Sequence, residues 1–178
     1  MENHKHKLLK QVALRWVQKT GCVVFATEVQ WHFCGIPDAV GMKADGGVYI
    51  VEAKDTTSDL RSDFKPRGWR GVKPYVMEDG LVIGSKLWKF KISYDYDFLY
   101  YIVSDCVDTS MLPKWVGIID ERGRVRRNAK RRQKSRTEKN RTKNFETMAR
   151  KLSWKAFGHV IRGEQEQPEF SLTKEVVR

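Results

Sequence analysis

Ile36-Pro37-Asp38-Ala39-Val40-Gly41-Met42-Lys43-Ala44-Asp45-Gly46-Gly47-Val48-Tyr49-Ile50-Val51-Glu52-Ala53-Lys54 is two largely apolar runs joined by a turn, and its reading decides the fold. Asp45-Gly46 supplies the positive φ angles of a hairpin turn, so residues 37–43 and 47–54 are predicted to be antiparallel strands. Side chains alternate along a strand, which sends Glu52 and Lys54 to one face and Ala53 to the other. A hairpin centred on that turn pairs residues whose numbers sum to about 91, which sets Asp38 across from Glu52 or Ala53. A loop longer by one residue, or a bulge, sets Asp38 beside Glu52 on one face. The register is open, but each alternative makes the two carboxylates neighbours.

Working outward, residues 5–19 predict a helix, with Leu8, Leu9, Val12 and Trp16 at spacings of three and four and Gly21 ending it. Residues 22–29 (CVVFATEV) are rich in β-formers and predict a first strand. After the hairpin, Thr56 with Asp59 forms a variant capping box, Leu60 and Phe64 share a helical face, and Pro66 stops that helix. Residues 66–97 alternate Gly and Pro with aromatics; they predict a long irregular excursion with one short hairpin, and 86–94 stays open between helix and strand. FLYYIV at 98–103 is a buried strand, 115–120 another, and Arg122-Gly123 a turn. Asn128 is placed to cap a helix through the basic run beyond it, continued by Phe145, Met148, Ala149 and Leu152. The order predicts one α/β domain over 1–163, a mixed β-sheet flanked by helices on both faces, followed by a polar tail at 164–178.

With 178 residues, 40% of them hydrophobic, the chain can bury an ordinary core. Its net charge of +12 is unevenly placed. Residues 122–143 hold twelve of the 34 Lys and Arg and one acid, Glu138, which is +11 in that stretch and +1 elsewhere. Concentrated positive charge on a nearly neutral body attracts a polyanion by releasing its condensed counterions. The run lacks an amphipathic apolar face, so nucleic acid is favoured over a membrane. Three cysteines without a CxxC pair suggest neither a disulfide framework nor a zinc knuckle and fit a reducing cytoplasm. No signal peptide and no membrane span are expected. No phosphate-binding P-loop or dinucleotide fingerprint occurs, so no nucleotide cofactor is expected.

Two carboxylates held close repel unless a positive charge lies between them. An all-oxygen site with few protein ligands suits Mg²⁺ or Mn²⁺, held by Asp38 and Glu52 with the Ala53 carbonyl as a further ligand. Lys54 is placed to orient and deprotonate an attacking water and to neutralise charge building on a phosphate. The pattern Pro37-Asp38 … Glu52-Ala53-Lys54 resembles the PD-(D/E)XK nuclease superfamily over about residues 5–120, and the run from Glu52 to Lys65 is similar to the bacterial MmcB-like DNA repair branch. The chain departs from that branch at 66–97 and in its basic segment. The resemblance implies a restriction-endonuclease-like core, metal-dependent hydrolysis of DNA phosphodiesters, metal binding at Asp38 and Glu52, and catalytic assistance from Lys54. Many members of the superfamily add an upstream Glu, for which Glu28 is the candidate.

Arg61 and Lys65 flank this constellation as candidate phosphate contacts. Arg126, Arg127, Lys130, Arg131, Arg132, Lys134 and Arg136 are expected to grip the nucleic-acid backbone without reading sequence. Asp59 is explained by helix capping, Asp63 is expected to be exposed, and His6 is expected to be a solvated terminal residue. DNA is the expected partner. RNA, a non-catalytic DNA-binding role in repair, and a homodimer stay open on sequence alone.

Overall fold

The computed structural model describes residues 4–28, 36–67, 73, 75–77, 80–92, 96–132 and 146. The elements are α1 (His4–Lys19), β1 (Val24–Thr27), β2 (Ala39–Met42), β3 (Val48–Lys54), α2 (Thr57–Ser62), α3 (Lys86–Ile92), β4 (Phe98–Val103), β5 (Gly117–Asp120) and β6 (Val125–Arg127). The six strands form one sheet in chain order. β1, β2 and β3 are antiparallel neighbours, β3, β4 and β5 run parallel, and β6 returns antiparallel against β5. This is the mixed α/β sheet expected from the order of elements.

Alternation along β3 sorts the core into two layers. Val51 and Ala53 face α1, packing with Leu9, Ala13, Trp16, Val17, Tyr100 and Ile102. Val48 and Ile50 face the other side, with Leu60 of α2 and Leu87 and Phe90 of α3. Each such large side chain stabilises the fold by about 1.5–3 kcal/mol on burial. Gly41 lets α1 lie directly on β2, because a Cβ there would come within 2.0 Å of Val17 Cγ1.

The parallel step from β3 to β4 needs a crossover, and α2 and α3 supply it on the face opposite α1. Thr56 caps α2 as expected, its hydroxyl accepting the Asp59 N–H at 3.0 Å. The helix ends at Ser62, short of Pro66, and a turn carries the chain through Asp63 and Phe64. The open stretch 86–94 resolves as helix over Lys86–Ile92. Ser85 starts it by accepting the Trp88 N–H at 3.1 Å, and Leu87 and Phe90 bury one face.

One expected element is overturned within the described residues. The chain after Gly123 is not the approach to a helix capped by Asn128. Gly123, at φ 80, turns the chain back, Val125–Arg127 pair with β5, and residues 128–132 continue without helical hydrogen bonding. An unpaired β5 edge is satisfied by β6, and this outweighs the helical propensity of Arg and Lys. The rest of that expected helix, apart from Glu146, and the tail at 164–178 lie outside the described residues. Among the described residues no helix is long and apolar enough to cross a membrane.

Candidate active site

The hairpin register is set by Ala39↔Val51, Val40↔Ile50, Gly41↔Tyr49 and Met42↔Val48. Continued by one residue, it puts Asp38 opposite Glu52. Asp38 lies just beyond the paired part of β2, where its Oδ2 accepts the Ala53 N–H at 2.8 Å. The side chain thus stands in for the next backbone acceptor and is fixed beside the end of β3. Ala53, expected to offer its carbonyl, enters the site through its N–H.

Glu52 is buried, 1% exposed, on the α2 and α3 side of the sheet. Lys86, the first residue of α3, donates to Glu52 Oε2. Oε1 is also buried and has no hydrogen-bond partner among the described residues. Burial pushes the Glu52 carboxyl up to about 7; Lys86 and Lys54 oppose this, and the nearby charges of Asp38 and Asp63 add to it. Burial pulls the Lys86 ammonium down, and the Glu52 and Asp63 charges more than offset it, so it is held above the usual lysine range.

Lys54, 5% exposed, points to the same side. Its Nζ lies 3.1 Å from Asp63 Oδ2 and 3.5 Å from Asp59 Oδ1. Asp63, expected at the surface, is fully buried. It accepts the Tyr101 hydroxyl at 2.9 Å and lies 3.4 Å from the Arg67 guanidinium. Burial, and then the Asp63 and Glu52 charges, push the Tyr101 phenol well above its ordinary range, so it donates to Asp63 as a neutral hydroxyl.

The N-terminal half of α1 closes the other side of Asp38. Lys10 Nζ lies 2.6 Å from Glu28 Oε1 and 3.4 Å from Asp38 Oδ1, and His6 Nε2 is 3.7 Å from Asp38 Oδ1. Glu28 is therefore brought to Asp38 through Lys10, and it sits in the left-handed region at φ 53, an uncommon conformation for a non-glycine residue. His6, expected to be merely solvated, is partly buried here. Potential ligand atoms of His6, Asp55 and Asp59 also lie within 4.8 Å of one another.

With this geometry in view, comparisons with known proteins add the fold and little else. No family model matches the chain. No curated protein matches it. Among solved structures, the SPO1766 protein of unknown function from Silicibacter pomeroyi is similar, with a TM-score of 0.62 at 14% identity over 96% of this chain and 100% of that one. At that identity the likeness is one of fold.

The expected nucleic-acid contacts divide. Arg61, in the last turn of α2, and Lys65, three residues past its end, are exposed. Arg126 pairs with Asp105 on the surface. Arg127 donates from Nε to the Val116 carbonyl at 2.9 Å and from one terminal nitrogen to the carbonyls of Pro113 at 3.0 Å and Leu112 at 3.3 Å, which ties down the loop before β5. Arg132 donates to the Phe90 and Lys91 carbonyls and to the Tyr96 hydroxyl, closing the end of α3. These two arginines hold the fold. Lys130 is exposed, and Arg131 is largely so, its Nε 3.8 Å from Asp97. Lys134 and Arg136 lie outside the described residues.

The sequence reading missed Lys86, Asp63, Lys10 and Tyr101. A signal existed for Asp63, which follows the apolar Leu60 by three residues at the end of α2. None existed for Lys86, which lies in the segment whose element type was open.

Proposed function

We propose that this chain is a metal-dependent nuclease that hydrolyses DNA phosphodiester bonds, built on a restriction-endonuclease-like core and working in repair, recombination or phage DNA processing. The observation that carries the reading is the Glu52 carboxylate, which is buried beside Asp38 with one oxygen, Oε1, left without a hydrogen-bond partner among the described residues. An unsatisfied buried carboxylate oxygen costs free energy unless a ligand takes it, and two adjacent carboxylates favour a hard divalent cation. The donor set therefore fits Mg²⁺ or Mn²⁺, with Asp38 and Glu52 as ligands and the Ala53 carbonyl as a further candidate. Such an ion supplies a Lewis acid for the phosphate and a more acidic bound water.

The remaining steps belong to the chain. Lys54, two residues beyond Glu52 on the same face, presents a positive charge to the reacting phosphate and orients the attacking water. Lys86 holds Glu52 Oε2, which leaves Oε1 as the oxygen available to the cation. Exposed cations on α2 and past β6 draw the polyanion in, with affinity that falls as salt rises.

A second reading, a DNA-binding repair accessory without catalysis, is favoured by one observation: Lys86 on Glu52 and Lys10 on Asp38 already compensate both carboxylates. The deciding experiment is a cleavage assay on plasmid, linear duplex, single-stranded and branched DNA, with RNA alongside. It is run with Mg²⁺, Mn²⁺ or EDTA, on wild type, Asp38→Ala and Lys54→Ala. The nuclease reading expects metal-dependent cutting that both substitutions abolish. Salt-sensitive binding with no cutting under any condition refutes it in favour of the accessory reading.

A further inference from the structure

Lys54 needs an explanation of its own. A lysine side chain has four rotatable bonds, and an ammonium used to orient a water must be held in one place. Asp63 is equipped to hold it. The carboxylate is fully buried, 3.1 Å from Lys54 Nζ, and the same oxygen accepts the Tyr101 hydroxyl at 2.9 Å. The other oxygen faces Arg67 at 3.4 Å. The Asp63 backbone is fixed as well: its N–H donates to the Leu60 carbonyl at 3.1 Å, and its carbonyl accepts the Leu87 N–H at 3.1 Å. Leu87 follows Lys86 in α3, so the residue whose side chain holds Lys54 also anchors the turn of helix that carries Lys86. Asp59, the other carboxylate near Lys54, lies at 3.5 Å, is about a third exposed, and is less able to restrain it.

We propose that Asp63 is the positioning residue of the site, with its side chain aiming Lys54 and its main chain seating the start of α3 so that Lys86 meets Glu52. The role of Lys54 in cleavage rests on the nuclease reading; the geometry of the Lys54–Asp63 pair does not.

The test uses the full chain and has two independent readouts. The first is NMR of wild type labelled with ¹⁵N in lysine and ¹³C in aspartate, where a coupling across the hydrogen bond between Lys54 Nζ and the Asp63 carboxylate carbon is expected. Its absence overturns the proposal, whether or not any variant folds. The second is single-turnover kinetics of Asp63→Asn, which keeps an acceptor for Tyr101 and removes the charge that holds Lys54. The rate is expected to fall about 10- to 100-fold, the usual loss when a group orienting a functional residue is removed. Mn²⁺ and DNA affinities should stay within about twofold of wild type, because the loss falls on the chemical step. In a Lys54→Met background the same change should cost nothing further. A rate for Asp63→Asn close to wild type, or an equal loss added to Lys54→Met, overturns the proposal by making Asp63 a scaffold residue only. If wild type cuts no substrate, the nuclease reading fails and the coupling alone decides whether Asp63 holds Lys54.

Discussion

Raising the pH should destabilise this protein through Glu52, opposite to the usual behaviour of a salt-bridged carboxylate. Its carboxyl moves from the ordinary 4.5 to about 7, chiefly by burial. Between those values the native state keeps a proton that the unfolded chain has released. The native state binds more protons in that window, so stability is fully present below 4.5 and is lost as pH rises through about 7. The gap between 4.5 and about 7, at about 1.36 kcal/mol per tenfold, gives a loss of about 3 kcal/mol. Lys86 does not blur this, because its raised value places its contribution below the ordinary 10.5 and its loss only above that. The assay is urea unfolding of wild type and Glu52→Gln at a series of pH values from about 5 to about 8.5, since Gln keeps the shape and does not titrate. Wild type should lose about 3 kcal/mol more than the variant across the series. At the alkaline end, Mn²⁺ at about a hundred times its dissociation constant should return about 2.7 kcal/mol to wild type and none to the variant. Equal pH slopes in the two proteins would refute the burial argument, and an equal response to Mn²⁺ would refute Glu52 as a ligand.

Gly117→Ala should lower stability by about 1–3 kcal/mol, because a Cβ there would lie 2.2 Å from Tyr100 Cδ1 and 2.8 Å from the Ala129 nitrogen; thermal unfolding reads this, and an unchanged midpoint would contradict the close packing of β5 under residues 128–130. Arg127→Ala and Lys130→Ala should separate two kinds of basic residue: the first strips a donor from three carbonyls and costs about 1–3 kcal/mol of stability. The second leaves stability within about 0.5 kcal/mol but lowers the salt dependence of DNA binding, by about one in the slope of log K against log salt. Fluorescence anisotropy over a salt series, beside urea unfolding, checks both, and identical behaviour of the two variants would undo the distinction.

What could be read from the sequence was what local rules govern. The Asp45-Gly46 turn fixed the hairpin to within one residue of register, Thr56 capped α2 as its hydroxyl predicts, and FLYYIV matches β4 residue for residue. Asp38 and Glu52 followed from that hairpin alone. What escaped depends on contacts between distant segments. Lys86 meets Glu52 across 34 residues, from a helix of seven residues with two buried side chains, too short a pattern to identify from spacing. Asp63 was misplaced because, still in helical backbone at the end of α2, it follows the buried Leu60 by three residues on the same face, where it meets Tyr101, 38 residues away. Counting charge marked residues 122–143 as basic, but it could not distinguish Arg127 and Arg132, whose donors meet carbonyls of their own fold, from Lys130, which faces solvent.

The crossover from β3 to β4 has a consequence for the order in which the protein is made. Asp38 and Glu52 lie on one hairpin, a low contact-order unit able to form in microseconds once it emerges from the ribosome. The groups that bury and polarise Glu52 come later, with α3 and then β4. A nascent chain that ends before residue 86 already carries the paired carboxylates, yet without α3 and β4 Glu52 lacks the burial that raises its carboxyl. The buried surroundings of Glu52 are complete only when the crossover closes and β4 docks beside β3, so a partly synthesised or locally unfolded chain holds the two carboxylates without their environment.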